Sequence, residues 1–224
     1  MISAAGDVLF YALVAAASFV ALTAVLVVIR SERPRTNGIA FLIGFVFGTT
    51  IGAVLGLMLG QVAVERLNSH ETVQGVLALL VGLALVVAGL AERRRPKAHG
   101  VDTGRNGPMA ARLRDVGPGT ALSIAGLLGF GGPKRLVLAL LAMASVSNAD
   151  LGEVENLTLL VLYVAVATLL VSVPVGIVVV GGDRAIAAVG RGESWLERNS
   201  GLLRVWVAVV LGGALVVDGL VRLS

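Results

Sequence analysis

The sequence contains no cysteine, which removes disulfides, thiol nucleophiles and Cys-ligated metal sites together and leaves the redox compartment unmarked. Only two histidines are present, His70 and His99, and both fall in polar connecting stretches. Charge is scarce as well: 14% of residues are Asp, Glu, Lys or Arg, against roughly 25% in a soluble domain. HExxH, GxSxG, Walker loops and acidic clusters at metal-ligand spacing are all missing. Those gaps argue against an enzyme, and no cofactor or metal is expected. What fills the space is apolar: 57% of the chain is hydrophobic and the mean hydropathy is +0.93. Water is therefore not the main solvent, and the sequence reads as an all-α membrane protein.

Runs free of charge extend from Val8 to Ile29, Thr36 to Val64, Thr72 to Ala91, Val116 to Pro133, Leu136 to Ala149 and Asn156 to Gly182, and a last run, Leu202 to Leu220, carries only Arg204 and Asp218. A spanning helix needs about 20 mainly apolar residues. Leu136 to Ala149 is too short alone, so it joins the preceding run across Lys134-Arg135 into one long span, Gly117 to Ser147, broken at Gly131-Gly132-Pro133. The count becomes six. The first run has no basic stretch before it, Asp7 being the only charge ahead of Arg30, and it is too long for a signal-peptide core, so it is expected to remain as a span.

Basic residues orient the spans, because cytoplasmic loops are the richer in Lys and Arg. Loop one holds Arg30, Arg33 and Arg35; loop two Arg66; loop three Arg93, Arg94, Arg95, Lys97, Arg105, Arg112 and Arg114; loop four none; loop five Arg184, Arg191 and Arg198, with Arg204 just beyond. This alternation puts odd loops in the cytoplasm and both termini outside. It also disfavours a re-entrant hairpin over residues 117–149, which would move the basic fifth loop outside. The excess of basic residues thus reports orientation rather than nucleic-acid binding. One membrane domain is expected over residues 1–224, with three spans in 1–91, a basic linker rich in Gly and Pro in 92–116, and three more spans in 117–224. Three is odd, so the halves enter the membrane in opposite senses, the arrangement of an inverted 3+3 repeat.

Several features are candidates for function. Span two carries Gly44, Gly48, Gly52, Gly56 and Gly60, one glycine every fourth residue, which bares one helix face for close packing against a neighbour in the same chain or in a second copy. Gly131-Gly132-Pro133-Lys134-Arg135 places two cations roughly 14 residues into span four, near mid-membrane. A charge there costs on the order of 3 kcal/mol on insertion scales and marks a pathway or binding site unless it snorkels out. Asp218, near the outer end of the last span, is the acid available to pair with Lys134 or Arg135 and the one obvious carboxylate for proton coupling. Pro174, in the Pro174-Val175-Gly176 stretch, predicts a kink in span five. Residues 183–200 mix Ile186, Val189, Trp195 and Leu196 with charges, as a short helix on the membrane surface does.

Several of these stretches together resemble the peptidoglycolipid (GPL) addressing protein family, GAP, a sulfolipid-addressing-like group within the lysine-exporter superfamily. They are Ser31-Glu32-Arg33-Pro34-Arg35 leading into Gly38 to Gly44, the Gly-Pro-Lys-Arg-Leu of residues 132–136 with Asn148-Ala149-Asp150-Leu151, Val173-Pro174-Val175, and Trp195 to Asn199 with Asp218-Gly219-Leu220. The resemblance implies a six-span exporter-like fold in a bacterial plasma membrane. It further implies a part in carrying envelope glycolipids to the surface, alongside transporters of the resistance-nodulation-division type. Two positions depart from the pattern. Gly132 stands where the family has the Asn of an Asn-Pro-Lys tripeptide, so Pro133 and Lys134 are carried over without an amide. Span one reads Ala17-Ser18-Phe19 where the family tends to have a proline, so neither a break in that span nor a symmetric two-gate arrangement is carried over.

Three readings follow from the residues and the resemblance: an envelope lipid exporter with Lys134 and Arg135 on an anionic headgroup, a small-solute or amino-acid exporter, and a non-transporting scaffold, or a homo-oligomer, assembled through the glycine ladder. The pairing of Lys134 with Asp218 has a direct test. Lys134→Asp combined with Asp218→Lys should recover part of the transport lost in each single variant, because a buried charge with a partner is far less costly than one without; a double variant no better than either single one contradicts the pair.

Overall fold

The computed structural model describes residues 2–66, 117–149 except 131 and 132, and 151–223, with isolated helical positions at 76, 79, 80, 83 and 86. Side chains are described for fewer, those of 59–66, 133, 134, 183–208 and 218 among the ones left out. Six helices make up the described chain: α1 (Ile2–Ala16), α2 (Phe19–Ile29), α3 (Pro34–Arg66), α4 (Pro118–Phe130), α5 (Pro133–Asn148) and α6 (Glu153–Leu223). Among the described residues the protein is all helical. Within α3 and α6, Pro34–Met58 and Glu153–Gly182 are long and apolar enough to cross a membrane, and the number of such spans rises to four when α1–α2 and α4–α5 each count as one. The third apolar run and the basic linker lie outside the continuous described segments.

The two helix pairs bend almost equally, by 59° between α1 and α2 and by 58° between α4 and α5. The second break falls where Gly131, Gly132 and Pro133 interrupt the apolar run. The first is a correction to the sequence reading, since the segment Ala17–Ser18 contains neither glycine nor proline. Ser18 accounts for it: its backbone is extended (φ −108°, ψ 101°) and its Oγ accepts from the Ala21 N–H at 3.5 Å, an N-cap that starts α2 afresh. Pro174 lies inside α6. Dihedrals stay helical through it, and the one non-helical residue of α6 is Gly182, with φ 59° and ψ −142°, a conformation open to glycine. Span five therefore ends in a break at Gly182. The residues after it, 183–223, are helical.

Helix directions follow from the packing. Going up α3, Gly44 meets Leu122, Gly48 meets Gly126, Gly52 faces Leu136 and Gly56 meets Ala139, so α3 runs parallel to α4–α5. Two buried clusters order the rest. One unites Ala4 to Ala15 of α1, Ala53 of α3, Leu138 to Val146 of α5, Leu159 to Ala167 of α6, and Leu215. The other unites Ala21 to Ile29 of α2, Phe41 and Phe45 of α3, Ala121 and Ala125 of α4, and Val171 to Val178 of α6. Spans α1–α2 and the first limb of α6 therefore run one way, and α3 and α4–α5 run the other. The second cluster lies toward the end that carries Arg30, Arg33 and Arg35, where the Arg35 guanidinium lies close to Gly182. The first lies toward the end that carries Asp7, Glu153 and Glu155.

The glycine ladder is what lets α3 and α4 approach so closely. A Cβ at Gly44 would run into the Leu122 carbonyl, one at Gly48 into the Gly126 carbonyl, and one at Gly129 into the Phe45 carbonyl. Small residues on both sides bring backbone against backbone, the contact that replaces the hydrophobic drive in lipid. The neighbour left open by the sequence is thus α4–α5 of the same chain, and the ladder is not a free surface for another protein; the surroundings of Gly60 lie outside the described residues. The ladder makes a sharp prediction. Gly48→Ala should destabilise by about 1–3 kcal/mol through overpacking, whereas Gly52→Ala, whose Cβ would meet Leu136 Cδ2 at 3.8 Å and Phe130 O at 4.0 Å, both ordinary contact distances, should be neutral or mildly stabilising in thermal unfolding of the purified protein.

Candidate functional site

Between the two clusters, at the level of both helix breaks, lies Arg135. It stands in the first turn of α5 and is 8% exposed. A helix that stops leaves its last carbonyls without N–H partners. Two such carbonyls meet the guanidinium here: Ala15 O, at the end of α1, accepts from Nη2 at 3.1 Å, and Gly129 O, at the end of α4, accepts from Nη1 at 3.4 Å. Each helix C-terminus is equivalent to roughly half a negative charge, so the breaks supply an electrostatic partner made of backbone. Thr49 Oγ1 of α3 accepts from Nη1 at 3.4 Å, and Ala167 O of α6 from Nη2 at 3.4 Å. The Phe45 ring adds a cation–π contact, with its centroid 4.6 Å from Cζ.

All of these partners are neutral. Among the described residues no carboxylate pairs with Arg135, and its Nε is buried without a hydrogen bond. The guanidinium does not reach the surface of the protein; it joins α1, α3, α4 and α6 from within. The Thr49 hydroxyl is committed in part to its own helix, donating to Phe45 O at 2.8 Å.

The sequence singled out Lys134, Arg135, Asp218, Pro133, Pro174 and the Gly131-Gly132 pair. The structure brings Arg135 to the centre and places Pro133 and Lys134 in the first turn of α5. Gly131 and Gly132, and the side chains of Lys134 and Asp218, lie outside the described residues, so the Lys134–Asp218 pair does too. Pro174 lies seven residues beyond Ala167 along α6, about 10 Å farther along the helix at the usual rise. Sequence reasoning missed Ala15, Phe45, Thr49 and Ala167. Ser18 offered the signal for the first of these: a hydroxyl midway through an apolar run is an N-cap in waiting, and a cap there frees the carbonyls just before it.

A comparison with protein families matches residues 8–221 to the family described as Sap, sulfolipid-1-addressing protein (SfLAP). Neither the curated proteins nor the solved structures contain a match.

Thr49 and Thr50 separate the role of the site from that of helix packing. Thr49→Val keeps the shape but removes an acceptor from a buried cation and should cost about 1.5 kcal/mol. Thr50→Val, whose hydroxyl bonds back to Val46 O at 2.9 Å, should be close to neutral in the same unfolding measurement.

Proposed function

The chain belongs to the sulfolipid-1-addressing protein family, and from that footing we propose that it is a six-span, exporter-like protein of the bacterial plasma membrane that takes part in moving an anionic envelope glycolipid toward the surface. The observation that carries this reading is Arg135, a cation at mid-depth with neutral partners, at the joint of two broken spans. Ionisable groups inside a membrane are costly and concentrate at transport pathways. Discontinuous helices in transporters expose backbone groups at the same depth for the same purpose.

The helix directions support six spans. Since α3 and α4–α5 run parallel, the chain has to return across the membrane between Arg66 and Gly117, and Thr72 to Ala91 is the charge-free run of sufficient length there. Val76, Leu79, Leu80, Leu83 and Val86 within it are helical. At the other end, Leu215 is buried in the cluster that holds Leu159 to Ala167, so the chain after Gly182 turns back along the first limb of α6. An inverted repeat is supported by the matching plan of the halves: each begins with a span bent by nearly 60° and continues with one long helix, in opposite directions. By the positive-inside rule the end with Arg30, Arg33 and Arg35 is cytoplasmic, which leaves both termini outside.

In this reading the chain moves its substrate rather than transforming it, and a resistance-nodulation-division-type partner supplies the drive. A scaffold built on the glycine ladder has little support, because α4–α5 already fills that face. A small-solute exporter of the lysine-exporter type would use the same central cation and would show solute efflux without a lipid phenotype. The test is a lipidomic comparison of the cell surface. Lys134→Ala with Arg135→Ala, present at the normal membrane level, should deplete an anionic glycolipid at the surface and accumulate it inside; unchanged surface lipids would make the cations structural.

A further inference from the structure

A guanidinium has five N–H donors, and Arg135 commits four of them unequally. Nη1 reaches Thr49 and Gly129, on two helices that glycine packing locks together. Nη2 reaches Ala15 and Ala167, on α1 and α6. Nε has no partner although the residue is more than nine-tenths buried. A buried charged donor left unsatisfied is expensive. Nε and a neighbouring Nη together form one of the forked edges by which arginine grips a planar pair of oxygens with two parallel hydrogen bonds.

We infer that the Nε–Nη2 edge of Arg135 is a subsite for the two-oxygen face of an oxyanion, a sulfate ester, carboxylate or phosphate, and that the Ala15 carbonyl is the group the oxyanion displaces. This rests on the reading of the chain as a mover of anionic lipid, and it names the contact and the response. The Nη1 edge stays fixed, because α3 and α4 cannot separate without undoing backbone-to-backbone packing. The Nη2 edge can exchange partners. Ala167 O belongs to the unbroken first limb of α6, whereas Ala15 O belongs to a helix end, and Ser18 caps α2 independently of it. Displacing the Ala15 carbonyl therefore frees the end of α1 without uncapping α2. The binding of an anionic headgroup is thereby coupled to movement at the break of the first span.

The absence of cysteine makes the test clean. Ala17→Cys in the full-length protein, held in neutral-lipid nanodiscs, reports the accessibility of the break through its maleimide labelling rate. Octyl sulfate should raise that rate several-fold and octyl glucoside should not; octyl phosphate and octanoate, run in parallel, rank the oxyanion classes. In an Arg135→Lys background, which keeps the charge but loses the fork, the rise should vanish. Equal rates with octyl sulfate and octyl glucoside in the folded Ala17→Cys protein overturn the subsite, and so does a rise that survives Arg135→Lys, which would make the effect an adventitious one of the detergent. A protein that fails this test while the lipidomic variant still depletes surface glycolipid loses the subsite and keeps the transport role.

Discussion

A single buried guanidinium, held by carbonyls that two interrupted helices release, is the interaction on which this architecture depends. Breaking a helix in lipid leaves backbone oxygens with nothing to accept from, and burying an arginine leaves donors with nothing to give to. Each alone is unfavourable. Together they offset one another: Ala15 O and Gly129 O receive the N–H groups of Arg135, and Arg135 receives the negative ends of two helix dipoles. Four helices meet on this one side chain, so the depth of both breaks and the register of α1 against α4 are tied to it.

The glycine rows make that meeting possible. With α3 and α4 separated by little more than their backbones, Thr49 comes within reach of both Gly129 O and the guanidinium, at 3.4 Å in each case. A side chain at Gly48 or Gly129 would push the helices apart and withdraw two of the acceptors at once. Packing and polar chemistry are therefore one structure: the smooth face of α3 sets the spacing, and the spacing sets the coordination of Arg135. Gly182 plays a separate part at the basic end, where its left-handed backbone ends the first limb of α6 beside Arg35.

Much of this was legible in the residues. Long charge-free runs dictated helices, Gly131-Gly132-Pro133 dictated the break between α4 and α5, and the four-residue spacing of glycines dictated a close helix contact. Arg135 was identifiable because a cation in an apolar run has so few ways to be satisfied. The break between α1 and α2 was not legible by the same rules, since Ala17–Ser18 contains no residue that forbids a helix; a cap that merely permits a new start becomes decisive only when tertiary partners absorb the freed carbonyls. In α6 the dihedrals stay helical through Pro174, and the non-helical residue is Gly182, where the charge-free run ends. The partners of Arg135 were hidden for a simpler reason, in that backbone carbonyls such as Ala15 O and Ala167 O carry no signature in the sequence.

The central claim is that the buried Arg135 is held by backbone carbonyls, with no carboxylate beside it among the described residues. Solid-state NMR dephasing between guanidinium nitrogen-15 and alanine carbonyl carbon-13, on the full chain in bilayers, measures this directly when the Arg135→Lys protein supplies the difference spectrum. The account predicts a short contact assigned to Ala15, matching its 3.1 Å hydrogen bond, that disappears in the variant. A difference spectrum with no alanine carbonyl contact, accompanied by dephasing to a side-chain carboxylate carbon, would contradict it.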